Sequence, residues 1–254
     1  MNTKHILLTS ALVVSALAFT SCEDFFDTSS KKDLNTETAY SNLESAEMAL
    51  VGCYDGWQRT ISDEGVGMYL LAEFAAEQAF AGLGLSDAKN NNVIDQFNLG
   101  IAPSYNDIFN VDWQNYYKAI FRCNQLIVQE ENIDWAGDIK AQGRVMGEAH
   151  AIRGILYFDL VRMFGDVPLL AAPSEENIPR SPASDVYQLI FEDFKYAIEH
   201  IPADAYPLDN NDTNDGRITK YAAEALMARA YLYHTGYYGA EHPSCTKAEA
   251  VAAI

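Results

Sequence analysis

Apolar positions recur every three or four residues in segment after segment of this chain, the period of packed helices. The longest segment runs from Gly147 to Leu170, GEAHAIRGILYFDLVRMFGDVPLL. Projected at about 100° per residue, its polar side is narrow and holds Arg144, Glu148, Asp159 and Arg162. Almost every other position is apolar or small, so this helix is expected to pack against neighbours on several sides. Arg153 falls in the middle of the apolar arc. A guanidinium there needs a carboxylate or helix-end carbonyls inside the fold, because burying it unpaired is prohibitively costly. Gly165 is expected to supply a left-handed C-cap, and Pro168 prevents the helix from resuming.

The same period predicts further helices. Thr36 or Thr38 can cap one that runs to about Trp57, with Ala39, Leu43, Ala46, Leu50 and Tyr54 along one side. Others are expected over Val66 to Phe80, Asp112 to Glu131, Ser184 to His200 and Thr219 to Thr235. A last helix begins at Thr246, and the sequence stops within it, which reads as the front part of a longer protein. Two helix pairs repeat: Ala149, Arg153 and Tyr157 recur as Ala225, Arg229 and Tyr233, and Ala119-Ile120 as Ala197-Ile198. Recurring antiparallel pairs, with alanines where backbones approach, mark an all-α, tetratricopeptide-like helical hairpin stack with long irregular loops. On the repeat, Arg229 should occupy the same packed environment as Arg153.

Between Ala81 and Ile108 the periodicity dissolves into glycine, asparagine and aspartate. A structureless segment of that length in a compact domain is more often functional or mobile than idle. Asn90, Asn91 and Asn92 offer amide donors and acceptors, while Phe80, Phe97 and Tyr105 offer flat apolar faces. Sugars are bound by that mixture, with ring faces on aromatics and hydroxyls on amides. A surface loop with its aromatics tucked into the core is the plainer alternative. Glu73 and Glu77 form the nearest approach to a carboxylate pair, and a same-face acidic pair is ordinarily a helix's solvent side. A hydrolase reading rests on those two residues alone.

The formal net charge of −19 argues against a nucleic-acid partner, which needs a basic patch. At the N-terminus, Lys4 and His5 precede an uncharged run from Ile6 to Phe19, then Thr20, Ser21 and Cys22. That run is too short to span a bilayer and reads as a secretory signal over residues 1–21. Cys22 stands at the acceptor position of bacterial lipoproteins, where acylation would hold a folded domain on a membrane. Residues 22–34 read as a polar tether and 35–254 as the helical domain. Cys53, Cys123 and Cys245 lack metal-ligand spacing and are expected to be small buried hydrophobes. The loop Asp209 to Gly216 lacks the glutamate an EF-hand requires, so no metal and no cofactor is expected.

Several stretches together resemble the SusD/RagB family of Bacteroidetes outer-membrane lipoproteins. They are Ser-Cys-Glu-Asp-Phe at 21–25, the helix start at Asn35 to Tyr40, and Trp113, Tyr117, Ile120 and Asn124 in helical register. The most specific run from Glu148 to Pro168 and from Gly216 to Tyr233. The resemblance implies a non-catalytic lipoprotein on the outer membrane, exposed at the cell surface. Such proteins capture oligosaccharides, or peptides in some branches, and deliver them to a SusC-like TonB-dependent transporter. A helical-repeat adaptor that binds only proteins is the other class such a stack supports. Starch-binding relatives carry tryptophans in the loop corresponding to Ala81–Ile108, and here that loop has none. No ligand contact therefore carries over by motif.

Overall fold

The computed structural model describes residues 39–62, 67–82, 89–98, 106–174, 176–206 and 216–253. Among these the regular structure is helical. In chain order the helices are α1 (Leu43–Ser62), α2 (Gly67–Ala75), α3 (Lys89–Asp95), α4 (Asn106–Ile127) and α5 (Ile139–Phe164). They continue with α6 (Ala183–His200), α7 (Lys220–Tyr238) and α8 (Lys247–Ala252). Extended pairing among the described residues is limited to isolated bridges such as Val167 with Ser181.

The helix that dominates the sequence dominates the fold. α5 packs on α1, α4 and α6, and its Ile152, Leu156, Tyr157 and Leu160 are fully buried. Asp138 caps its N-terminus by accepting a hydrogen bond from the Ala141 amide at 2.9 Å. Near that end the backbones of α5 and α6 nearly touch: a Cβ on Gly143 would lie 2.4 Å from the carbonyl oxygen of His200. Gly165 ends α5 with φ 68° and ψ −119°, so the positive φ is as expected but the conformation is not the left-handed helical one.

The chain leaving α5 is fastened by side chains from two helices. Tyr117 donates to the Pro168 carbonyl at 2.7 Å, and Asn124 to the Leu170 carbonyl at 2.8 Å. The Tyr157 hydroxyl donates to the Leu170 carbonyl at 3.0 Å and accepts from the Leu170 amide at 2.7 Å. Arg153 donates to the Ala171 carbonyl at 3.0 Å. Tyr117, Asn124, Arg153 and Tyr157 together supply an extended segment with the partners a sheet would otherwise provide.

Four sequence expectations need correction. α1 is capped by Asn42: its side-chain oxygen accepts from the Ser45 amide at 3.0 Å, and Ser45 Oγ accepts from the Asn42 amide at 3.0 Å. Residues 36 and 38, the caps expected from sequence, lie outside the described residues. α2 stops at Ala75, and Glu77 takes φ 56° beyond it, so Glu73 and Glu77 do not share a helix face. The segment expected to be irregular contains α3, whose Ile94 packs with Phe74 and Ala81 in a small apolar cluster of its own. Finally, Arg229 does not repeat Arg153. Arg153 is 4 % exposed between α4 and α6, whereas Ala225, Arg229 and Tyr233 lie on an exposed face of α7. The two helices share a sequence pattern, but α5 is covered on the corresponding side and α7, among the described residues, is left open there.

Candidate functional site

The described residues enclose a groove of about 570 Å³ among α1, α2, α4, α5 and α7. Its placement begins with Gly67, whose φ of 60° turns the chain from α1 into α2. A Cβ there would sit 2.5 Å from the Thr60 carbonyl oxygen, so the turn admits only glycine comfortably. The buried Asp112 of α4 accepts the Gly67 amide at 3.0 Å and ties the start of α2 to the stack. One wall is then Trp57 and Ile61 from α1 with Met68, Tyr69, Ala72 and Glu73 from α2. Tyr69 is 66 % exposed. The floor is Ile155 and Phe158 of α5 with Ile218, all buried. Leu226 and Arg229 of α7 form the opposite wall.

Among the described residues, charge in the groove is arranged in two settled clusters, around Arg162 and Arg217, and two open groups, Glu73 and Arg229. Asp159 accepts from the Tyr116 hydroxyl at 3.0 Å and pairs with Arg162. Burial raises the Asp159 carboxyl above its usual range, and the Arg162 charge and Tyr116 hydrogen bond only partly counter it. Arg162 also donates to the Phe158 carbonyl at 3.0 Å and lies 4.0 Å over the Phe158 ring. Arg217 pairs with Glu47 and Glu148, each at 3.3 Å, and lies 5.2 Å over the Tyr54 ring. Arg229 makes no ion pair among the described residues, although its charge is felt weakly at Asp159.

Glu148, fully buried, is the hub behind this wall. It accepts from the hydroxyls of Tyr54 and Tyr206, each at 2.6 Å, and from Arg144 and Arg217. Tyr54 in turn accepts the Ile218 amide at 2.8 Å, which fixes the approach to α7. Burial and the neighbouring Glu148 charge raise the Tyr54 phenol, and the same causes push Tyr206 up to about 12. Both remain neutral hydrogen-bond donors at physiological pH.

The residues singled out from sequence are distributed otherwise. Phe80 is 88 % exposed and Phe97 is 63 % exposed, and neither lines the groove. Asn90, Asn91 and Asn92 stand on α3, with Asn92 buried and Asn91 half-buried, so they are not a run of loop amides. Tyr105 and Cys22 lie outside the described residues. Sequence reasoning missed Trp57, Tyr69 and Arg229 as one constellation. They sit on three helices, and only Arg229 was conspicuous, as half of a repeat.

What the fold and groove define is a helical-repeat binding scaffold: a stack of antiparallel helices whose side carries a cleft with one exposed ring, Tyr69, and charged side chains. Its family follows from comparison. The profile of the SusD-like family, described as starch-binding and associating with the outer membrane, matches residues 24–232. SusD-like protein P38 of Formosa agariphila is 24 % identical over 242 residues, covering 93 % of this chain and 44 % of its own. The crystal structure of a SusD homolog from Bacteroides thetaiotaomicron superposes with a TM-score of 0.60 at 25 % identity, over 85 % of this chain and 40 % of that one. A SusD-like carbohydrate binding protein from Bacteroides vulgatus has a TM-score of 0.58 at 18 % identity, over 84 % of this chain and 44 % of that one. This chain belongs to the SusD-like family, whose members are outer-membrane lipoproteins exposed at the cell surface. It spans less than half the length of these relatives.

Proposed function

We propose that the protein captures oligosaccharides at the cell surface and hands them to a SusC-like TonB-dependent transporter, without cleaving them. The observation that carries this reading is the groove, in which the exposed face of Tyr69 stands with Trp57 above an apolar floor, bordered by Glu73 and Arg229. Sugar rings pack on such faces through their C–H edges, while carboxylate and guanidinium groups bond the hydroxyls that remain. Membership of a family of non-catalytic binding proteins supports capture over hydrolysis. In this reading residues 1–21 are the export signal, Cys22 carries the lipid, 22–34 tether the domain, and 35–254 form its helical part. Phe80, Phe97, Asn90, Asn91, Asn92 and Tyr105 remain proposed as further sugar contacts on the chemistry of their side chains.

The full-length lipoprotein, extracted from its outer membrane, should bring down a large transporter barrel and bind an oligosaccharide in calorimetry or affinity electrophoresis. Substituting Trp57→Ala should weaken sugar binding at least tenfold and leave the barrel bound. Barrel capture with no sugar bound from a broad panel would instead favour an adaptor that recognises only proteins, and peptide binding would favour a peptide-capturing lid.

A further inference from the structure

We propose that the groove selects oligosaccharides bearing an acidic group, a uronate carboxylate or a sulfate ester, and that Arg229 reads that group. The inference rests on the capture reading and adds the ligand's chemical class.

The groove's charges single out Arg229 by elimination. The chain carries a formal net charge of −19, yet the lining holds Arg162, Arg217 and Arg229 against Glu73 and Asp159. Asp159 neutralises Arg162, and Glu47 and Glu148 neutralise Arg217, so among the described residues the charges left open in the lining are Arg229 and Glu73. Two of the arginines are already committed. Arg162 is pinned by Asp159, the Phe158 carbonyl and the Phe158 ring. Arg217 is shared between Glu47 and Glu148. Of the three, Arg229 alone has no ion pair among the described residues, and it is exposed on the wall opposite Trp57 and Tyr69.

A planar guanidinium offers two parallel N–H donors matched to a carboxylate or sulfate, a stronger and more directional contact than any it makes with a neutral hydroxyl. The aromatic wall supplies the complementary requirement, a flat apolar surface for the ring that bears the acid. An acidic sugar satisfies both walls, whereas a neutral one leaves Arg229 with hydroxyls only. Glu73 then accepts from ring hydroxyls away from the acidic substituent.

The test compares three probes of equal length on the full-length protein: an oligogalacturonide, a sulfated galactan oligosaccharide and a maltooligosaccharide. Binding is measured by calorimetry at low and at physiological salt. At least one acidic probe should bind tenfold or more tightly than the neutral one, with an advantage that shrinks as salt rises. Arg229→Gln should abolish that advantage without changing the melting temperature, because the side chain is exposed and makes no ion pair; Arg229→Lys should retain part of it. Comparison of the two acidic probes assigns the group as carboxylate or sulfate. Tighter binding of the neutral probe, or an acidic preference untouched by Arg229→Gln, overturns the inference and leaves capture standing. If none of the three binds while an acidic peptide does, the inference and the capture reading both fall.

Discussion

Asp193 of α6 holds Arg153 of α5 by two edges, accepting Nε at 2.9 Å and Nη2 at 2.7 Å, with both side chains essentially closed to solvent. The remaining donor, Nη1, reaches Asn124 at 2.8 Å and the Ala171 carbonyl at 3.0 Å, so one guanidinium joins α4, α5, α6 and the exit segment. His150 completes the carboxylate's surroundings at 2.6 Å.

Breaking this pair from one side leaves a buried charge without its partner. Asp193→Asn or Arg153→Met should each cost about 3–5 kcal/mol of unfolding free energy, read from urea denaturation. The double variant Arg153→Met/Asp193→Leu should lose less than the sum of the two single losses. Strict additivity would mean the two groups do not act as a unit.

Acid should expose the same pair. Burial alone would raise the Asp193 carboxyl, but the Arg153 charge, with hydrogen bonds from Arg153 and His150, holds it below the usual range. A depressed folded pKa gives stability that is present above the unfolded value and lost as pH falls through the folded one. The protein should therefore lose stability below about pH 4, and Asp193→Asn should flatten that slope. Asp159, raised by burial, has the opposite sign. The stability gap between Asp159→Asn and wild type should move in the variant's favour as pH rises from about 3 to 7. Melting curves across that range decide both.

Two glycine substitutions should move in opposite directions. At Gly143 a methyl group would meet the His200 carbonyl oxygen at 2.4 Å, backbone that cannot swing aside. Gly143→Ala should lower stability by about 1–3 kcal/mol despite alanine's better helix propensity. At Gly52, within α1, nothing lies within 4 Å of the added methyl. Gly52→Ala should raise stability by about 0.5–1 kcal/mol. Thermal melts of the two variants side by side provide the check.

Asn124→Leu should prove costlier than its size suggests. It strips a donor from the Leu170 carbonyl and an acceptor from Arg153 in one step. We expect a loss of about 2–4 kcal/mol, with faster amide exchange at Leu170. A loss near zero would mean water replaces the amide.

Arg153 shows what sequence could and could not reveal. Its place in an apolar arc demanded an internal partner, and that demand was readable from helical period alone. The partner was not, since Asp193 lies on another helix and looked like any acidic residue of an amphipathic segment. The helices of the stack were legible for the same reason as Arg153: periodicity reports burial. α3 was not, because three asparagines in a row carry little period and its apolar contacts are few. The groove was least legible of all. Trp57, Tyr69 and Arg229 come from helices distant in sequence, and only packing brings them around one space. The repeat even misdirected, since it assigned Arg229 to the core when α7 presents that face to the groove.

Glu148 has one further consequence. Tyr206 and Arg217, which flank residues 207–215, are both fastened to its carboxylate, at 2.6 Å and 3.3 Å. Like two gateposts set in a single footing, they keep their separation whatever chain is hung between them. The acidic, asparagine-rich stretch in that position can therefore be lengthened, shortened or rewritten over generations while the helices on either side stay put. The helices that Glu148 ties together have no need to evolve in step with that stretch.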